Sequence, residues 1–340
     1  MAENHHEESF IRKYIFSIDH KVIGIQYGIT SLFFLFFGFS LMMIMRWQLA
    51  YPDSPVPMVG PLLTWLADLN GFSSPEGSLP NDLYNSFGAM HGTIMIFLGV
   101  VPIIVGAFGN YLVPLQIGTI DMAFPKLNMA SYWCYLPGGL IMIASFFLPG
   151  GAANSGWTSY PPLSNIATMG QTFWLLGMVF LITSSLLGSM NIIVTIVQLR
   201  AEGLTWFRLP IFIWAQLVTS FLLVLAFPPL EVAGILQLMD RLAGTSFFLP
   251  TGLVVTDQLL TGPATLYSGG GSPLLWQHLF WFLAHPEVYV LILPAMGIVA
   301  EILANNIRKP LWGYNILVYS LIFLCFMSFI VWAHHMFLTG

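Results

Sequence analysis

The sequence predicts an all-α integral membrane protein, a bundle of about seven transmembrane helices. Of its 340 residues, 57% are hydrophobic and only 7% are charged, whereas a soluble domain carries roughly 25% charged residues. Seven apolar stretches each reach the length of about 20 residues that a helix needs to cross a bilayer. They lack the alternation of polar and apolar residues that is typical of strands in a membrane β-barrel.

These stretches give the expected helices in chain order. They cover 22–48, 85–113, 129–150, 170–199, 209–238, 274–303 and 312–339. We expect them to form a single transmembrane domain over 1–340 that is incomplete. The composition excludes a cytosolic globular enzyme and a disordered linker. A net charge of -5 gives no basic footprint for nucleic acid, so we expect no nucleic-acid partner.

The placement of Lys and Arg predicts the orientation. If the spans alternate, eight of the ten basic residues share the side of the N-terminus, and only Arg46 and Arg241 fall on the other. The positive-inside rule therefore predicts that the N-terminus is inside. The outside connections 49–84, 151–169 and 239–273 are long and rich in Gly, Pro and Ser. They form either a cap over the helix ends or a docking surface for a partner.

The sixth and seventh stretches contain a cluster of titratable residues, which are costly at membrane depth and so are functional candidates. His285 and Tyr289 are four residues apart and share one helix face, whereas Glu287 points about 160° away. His334 and His335 are adjacent, about 100° apart, and can straddle a helix seam. Three imidazoles without an acidic ligand suit copper or zinc and leave a coordination position open. The alternative is three unrelated histidines in a packed core.

Other titratable residues lie alone. His91 in the second stretch makes either a helix–helix hydrogen bond or a ligand bond. Glu287 lies just inward of the histidines, where an acid is well placed to carry protons. Glu231 is either functional or lies at a helix end, and we expect the helix end.

At these residues the sequence resembles subunit I of the haem–copper oxidases, the cytochrome c oxidase type. The similarity runs through the chain in a series of motifs. They are MHGTIMIF at 90–97, GAFGNYLVPLQIG at 106–118, DMAFPKLN at 121–128, SGWTSYPPLS at 155–164, GGGSPLLWQHLFWFLAHPEVY at 269–289 and VWAHHMF at 331–337. The resemblance implies part of a twelve-helix fold and the catalytic subunit of a terminal respiratory oxidase that reduces O2 to water and pumps protons.

The resemblance also implies roles for the clustered residues. His285, His334 and His335 match the ligands of the one copper ion (CuB) beside the oxygen-binding haem. Tyr289 matches the tyrosine bonded covalently to the first of them, and this phenol supplies a proton and an electron. Glu287 matches the inner end of a proton channel.

Two haems, most simply of the A type, are implied. His91 matches an axial ligand of the low-spin haem, and Arg46 resembles the arginine near its formyl group. Gly92 is expected to let the flat macrocycle approach the helix. Trp281 is expected to pack around the copper site.

The mouth of the proton channel is implied in the inner loop. Asp121, Asn110 and Asn128 match residues there. Ser184 and Ser185 either line the same path or hold helices together.

Some positions depart from the family pattern. Residues 253–268 resemble an insertion, and Ser272 replaces a frequent Asp. Ala300-Glu301 replaces Ser-His at the mouth of a second proton channel. The family's remaining haem ligands and the lysine of that channel lie on later helices. We therefore expect the N-terminal part of a longer subunit I, completed by a following segment or another chain.

The implied partners are oxidase subunit II, where electrons enter, subunit III, cytochrome c or quinol, and the lipid membrane. The implied location is a bacterial plasma membrane rather than a mitochondrial inner membrane. Two other functions remain open at this point: a nitric oxide reductase-like enzyme, which lacks the tyrosine and binds iron, and a non-redox proton or ion transporter.

Overall fold

The computed structural model describes residues 9–73, 75–250, 254–255, 258–259 and 270–339. Within these residues it contains seven helices long and apolar enough to cross a membrane, and several shorter ones, of which the longest is numbered with them below. In chain order they are α1 (His20–Ala50), α2 (Gly60–Asn70), α3 (Asn81–Ile117), α4 (Pro125–Phe147), α5 (Met169–Gln198), α6 (Ile211–Leu242), α7 (Pro273–Ile307) and α8 (Tyr314–Thr339). The seven predicted spans are confirmed, and every boundary lies within four residues of its expected position.

The connection predicted as a loop over 49–84 contains α2. The prediction missed this helix because it is too short to cross a bilayer and carries no membrane signal. Its ends are nevertheless encoded locally, since Pro61 lies in the first turn and Gly71 terminates it in the left-handed conformation. A second unpredicted element is an antiparallel pair of two-residue strands, β1 (Val254–Val255) and β2 (Gln258–Leu259). Most of the expected insertion at 253–268 lies outside the described residues.

Two helices contain features that bear on the functional residues. Asp19 caps the start of α1, and its carboxylate accepts hydrogen bonds from the backbone N–H groups of Lys21 and Val22 at 2.8 and 3.1 Å. The middle of α3 is wound as π-helix over Ile94–Val100 and Pro102–Gly109. Such segments are rare and often mark functional positions.

The bundle is arranged around α6. This helix is the most buried of the seven and packs along both α5 and α7. α4 packs on α5, and α1 packs along α3. α8 is the least buried span, and its end contacts α7. His285 on α7 and the adjacent pair His334 and His335 at the end of α8 therefore lie on neighbouring helices.

Candidate metal centre and proton path

Three imidazole rings converge where the middle of α7 meets the end of α8. The candidate ligand nitrogens of His285, His334 and His335 all lie within 4.8 Å of one another. The ring of His285 lies 4.5 Å from that of His334 and 5.2 Å from that of His335, centroid to centroid. The structure thus brings together the three histidines that the sequence groups.

The two histidines of α8 lie on 3-10 turns. The helix is α-helical over Tyr314–Ser328 and continues as 3-10 helix over Val331–Thr339. The expectation of α-helical spacing up to 339 is therefore wrong for this last segment, since helix ends often tighten in this way. With three residues per turn, adjacent side chains diverge by about 120° rather than about 100°. His334 is exposed as a result, whereas His335 is half-buried.

His285 carries a buried ring nitrogen that suits a metal ligand. The residue is 5% exposed, and its Nε2 makes no hydrogen bond with any residue that the structure describes. Its Nδ1 lies 3.0 Å from Nε2 of His335. Leaving a buried polar atom unpaired costs roughly 1–3 kcal/mol, so native proteins rarely do so without a reason. An unpaired nitrogen beside two more imidazoles fits a copper or zinc site.

Two aromatic side chains flank these histidines. The ring of Tyr289 lies 5.0 Å from that of His285, which confirms that they share one helix face. Trp281 stacks on His335 with ring centroids 3.7 Å apart and planes 5° apart. Trp281 therefore packs at the cluster as expected. Its Nε1 donates a hydrogen bond to the hydroxyl of Tyr160, which the sequence did not single out.

Glu287 is enclosed in the bundle. It is 1% exposed, and neither carboxylate oxygen bonds any residue among those described. Two positions after His285 on a continuous helix, it leaves α7 about 160° away from the histidine. A buried carboxyl group without a protein partner calls for an ordered water or a functional explanation.

Asp121 lies half-buried in the loop between α3 and α4. Burial raises the pKa of its carboxyl group above the ordinary value, because desolvation disfavours the charged form. Its Oδ1 accepts a hydrogen bond from the backbone N–H of Met122 at 2.6 Å. Asn191 of α5 fixes the loop by exchanging two hydrogen bonds with the backbone of Phe124.

The two candidate asparagines are buried near this loop. Both amide atoms of Asn128 lack a partner among the described residues. Asn110 donates from its Nδ2 to the Gly106 carbonyl at 2.7 Å, but its Oδ1 is unpaired. Buried amides with free atoms are sites for ordered water.

A polar cavity of about 40 Å³ lies among α1, α3, α4 and α5, and Asn110 lines it. Such a volume has room for about three water molecules. Tyr27 donates from its hydroxyl to Ser131 Oγ at 3.1 Å, and Ser184 Oγ donates to the Ser131 carbonyl at 2.6 Å. Ser184 and Ser185 both line the cavity. Sequence reasoning missed Tyr27 and Ser131, although Ser131 follows Asn128 by three residues and so shares its helix face.

Comparison with known families decides where this arrangement belongs. The family model described as "Cytochrome C and Quinol oxidase polypeptide I" matches residues 22–340. The chain belongs to this family. With its seven apolar helices, this polypeptide I chain is a multi-pass membrane protein.

Named relatives agree with the family. "Cytochrome c oxidase subunit 1" of Synechocystis sp. is 42% identical over 341 residues, which are 100% of this chain and 54% of the relative. The protein of the same name from Thermostichus vulcanus is 43% identical over 328 residues, 96% of this chain and 52% of the relative. "Alternative cytochrome c oxidase subunit 1" of Bradyrhizobium diazoefficiens is 40% identical over 348 residues, with 100% and 54% covered. The polypeptide I chain spans about half the length of the curated relatives it matches.

His91 of this polypeptide I chain lies half-buried on α3. Its Nδ1 lies 2.9 Å from the Gly38 carbonyl oxygen. Because a carbonyl only accepts, this hydrogen bond puts the ring hydrogen on Nδ1 and leaves Nε2 as the free ligand atom. Arg46 is exposed on α1, about 12 Å further along the helix than Gly38. Trp157 packs against Gly92, with its Cβ 3.0 Å from the position of an added Cβ.

The structure corrects the expected position of Glu231. It lies in the interior of α6, eleven residues before the end of the helix, and accepts a hydrogen bond from the Thr183 hydroxyl at 2.9 Å. The predicted stretch 209–238 already ran through Pro228 and Pro229, and α6 continues through both prolines to Leu242.

Glu301 joins three helices of the bundle. Its Oε1 accepts from the backbone N–H of Phe212 at 2.9 Å, and its Oε2 accepts from Gln116 Nε2 at 3.2 Å. A carboxylate at the start of α6 also interacts favourably with the helix dipole. These contacts give Glu301 a structural role.

Proposed function

We propose that the chain belongs to the catalytic subunit of a terminal respiratory oxidase that reduces O2 to water and couples this reaction to proton pumping. The convergence of His285, His334 and His335, with the phenol of Tyr289 one turn from His285, carries the proposal. Three neutral imidazoles form a copper site with room for a further ligand. The phenol supports an oxidase over a nitric oxide reductase-like enzyme, in which this tyrosine is lacking.

The residues fit the cofactors that the family implies. The three histidines would hold the copper, and Nε2 of His91 would hold a low-spin haem with Arg46 near its edge. When bound, haem and copper would supply the site for O2 and the electrons for its reduction. The chain's own contribution is to orient the imidazoles through Trp281 and to offer a proton from Tyr289.

A proton route follows the polar groups of the bundle. Asp121 would take up protons at the end of the bundle where α1 begins. The unpaired amide atoms of Asn128 and Asn110 would hold water between Asp121 and the polar cavity. Glu287, buried and unpaired, would receive the proton and pass it on.

The setting follows from the family and from the charge distribution. The placement of eight of the ten basic residues favours an N-terminus on the inner side of the membrane. The membrane in this proposal is a bacterial plasma membrane. Subunits II and III and a donor, cytochrome c or quinol, would complete the complex. An absorption spectrum and metal analysis of the purified complex test the proposal. Haem bands with copper support the proposal. Iron without copper favours a nitric oxide reductase-like enzyme, and a colourless protein favours a transporter.

Replacing His334 by Ala is expected to remove copper from the assembled complex. Loss of a group that only hydrogen-bonds a metal ligand changes metal affinity by roughly 10–100-fold, and loss of the ligand itself should cost at least as much. Metal analysis of purified complexes measures the effect. His278→Ala, an exposed histidine on α7, is the control and should keep its copper. Full copper in His334→Ala would remove that ligand assignment.

Replacing Asp121 by Asn is expected to slow proton uptake and to lower oxygen consumption about tenfold or more, because an amide cannot bind and release the proton. Proton uptake by reconstituted vesicles gives the measurement. Asp82→Asn changes an exposed carboxylate at the opposite end of α3 and should leave uptake unchanged. Unaltered pumping in Asp121→Asn contradicts the route.

A further inference from the structure

Three basic side chains surround one recess at the end of the bundle where α1 begins. Arg12 and Lys13 come from the segment before α1, and Lys126 comes from the first turn of α4. The recess has a volume of about 490 Å³ and lies between the N-terminal segment and α4. None of these residues belongs to the metal centre or to the proton route.

The N-terminal segment is fixed against the bundle. Gln26 donates from its Nε2 to the carbonyls of Tyr14 and Ile15 at 2.7 and 2.9 Å. Phe16 stacks on Trp133 of α4 with ring centroids 4.6 Å apart. The segment that carries Arg12 and Lys13 is therefore held beside the recess, although its side chains are exposed.

The charge of the recess is positive. Among residues 9–73, 75–250 and 270–339, no carboxylate forms an ion pair with Arg12, Lys13 or Lys126. Asp19 is the only acidic side chain among the described lining residues. Its carboxylate is already engaged by backbone N–H groups at the start of α1, where the positive end of the helix dipole offsets its charge.

An apolar groove of about 670 Å³ adjoins the recess. The two share Ile18 and Lys126. Phe124, Leu127 and Met190 also line the groove, and Phe124 and Met190 are each about half exposed. The groove runs between the start of α4 and the last turns of α5.

We propose that the recess and the groove together bind one anionic phospholipid. Its phosphate would lie among Arg12, Lys13 and Lys126, and an acyl chain would lie along the groove past Met190. Basic pockets between transmembrane helices bind acidic headgroups, with roughly 1 kcal/mol from each nearby Lys or Arg. A soluble anion would use the recess alone and leave the adjoining groove without an occupant.

The test is a titration of spin-labelled phosphatidylglycerol into the intact complex reconstituted in phosphatidylcholine, read as the restricted fraction of the label. The triple variant R12Q/K13Q/K126Q is expected to bind the probe with an affinity lower by on the order of 100-fold. The matched control R208Q/R308Q/K309Q removes three exposed charges at the same end of the bundle and should bind like the wild type.

Further outcomes separate the parts of the proposal. Met190→Trp fills the groove without changing charge and should also weaken binding of the lipid. Unchanged affinity would contradict the placement of an acyl chain in the groove. Equal affinity for labelled phosphatidylcholine, or competition by inorganic phosphate at the same concentration as the lipid, would overturn the proposal. So would equal losses in the two triple variants. None of these results depends on oxygen reduction.

Discussion

Replacing Tyr289 by Phe is expected to abolish oxygen reduction by the assembled complex while leaving its copper in place. The phenol lies one helical turn from His285, with ring centroids 5.0 Å apart, so its hydroxyl lies beside the histidine cluster. Phe keeps the ring and its packing but removes the proton. Loss of a positioned proton donor typically costs 10²–10⁴-fold, so oxygen uptake should fall by roughly that factor.

The same substitution elsewhere in the bundle separates chemistry from packing. Tyr319 lies on α8 and is 60% exposed, so Tyr319→Phe should leave oxygen uptake unchanged. Copper content, measured on both variants, should equal that of the wild type because no ligand is altered. Near-normal oxygen uptake by Tyr289→Phe would defeat the proposed role of the phenol.

The parts of the site that the sequence predicted depend on spacing within one helix. His285 and Tyr289 are four residues apart, and this fixes their common face whatever surrounds them. His334 and His335 are adjacent in the chain, so both side chains can reach one metal ion. The helices themselves were predictable because a bilayer sets a length and an apolar composition.

The parts that the sequence could not predict depend on packing between helices. The stacking of Trp281 on His335 and its hydrogen bond to Tyr160 join three separate segments. The Tyr27–Ser131 hydrogen bond likewise crosses from α1 to α4. The hydrogen bond from the Thr183 hydroxyl to Glu231 likewise joins α5 to α6.

The same distinction bears on the proton route. Asp121 and Glu287 are recognisable from motifs, but the water between them would depend on buried atoms that only the packed bundle reveals. The unpaired amides of Asn128 and Asn110 and the cavity of about 40 Å³ account for part of the distance. Glu287 is the group on which every proton taking this route would converge.

Replacing Glu287 by Gln is therefore expected to stop both proton pumping and steady-state oxygen reduction. Gln has almost the same shape, so the packing of α7 should survive, but it cannot accept and release a proton. We expect oxygen uptake to fall roughly 100-fold or more. Stopped-flow measurement of proton uptake on reoxidation, with copper content as a check on assembly, measures the effect.

Glu231→Gln provides the matched control. It makes the same change in a membrane-spanning helix, and the amide oxygen can still accept the hydrogen bond from Thr183. Because Glu231 is already engaged by the Thr183 hydroxyl, whereas both carboxylate oxygens of Glu287 lack a partner among the described residues, the Glu231 variant should pump and respire like the wild type. If both variants fail equally, loss of any intramembrane carboxyl is sufficient and Glu287 has no special place in the route. If Glu287→Gln still pumps, protons reach the histidine cluster by a path that bypasses it.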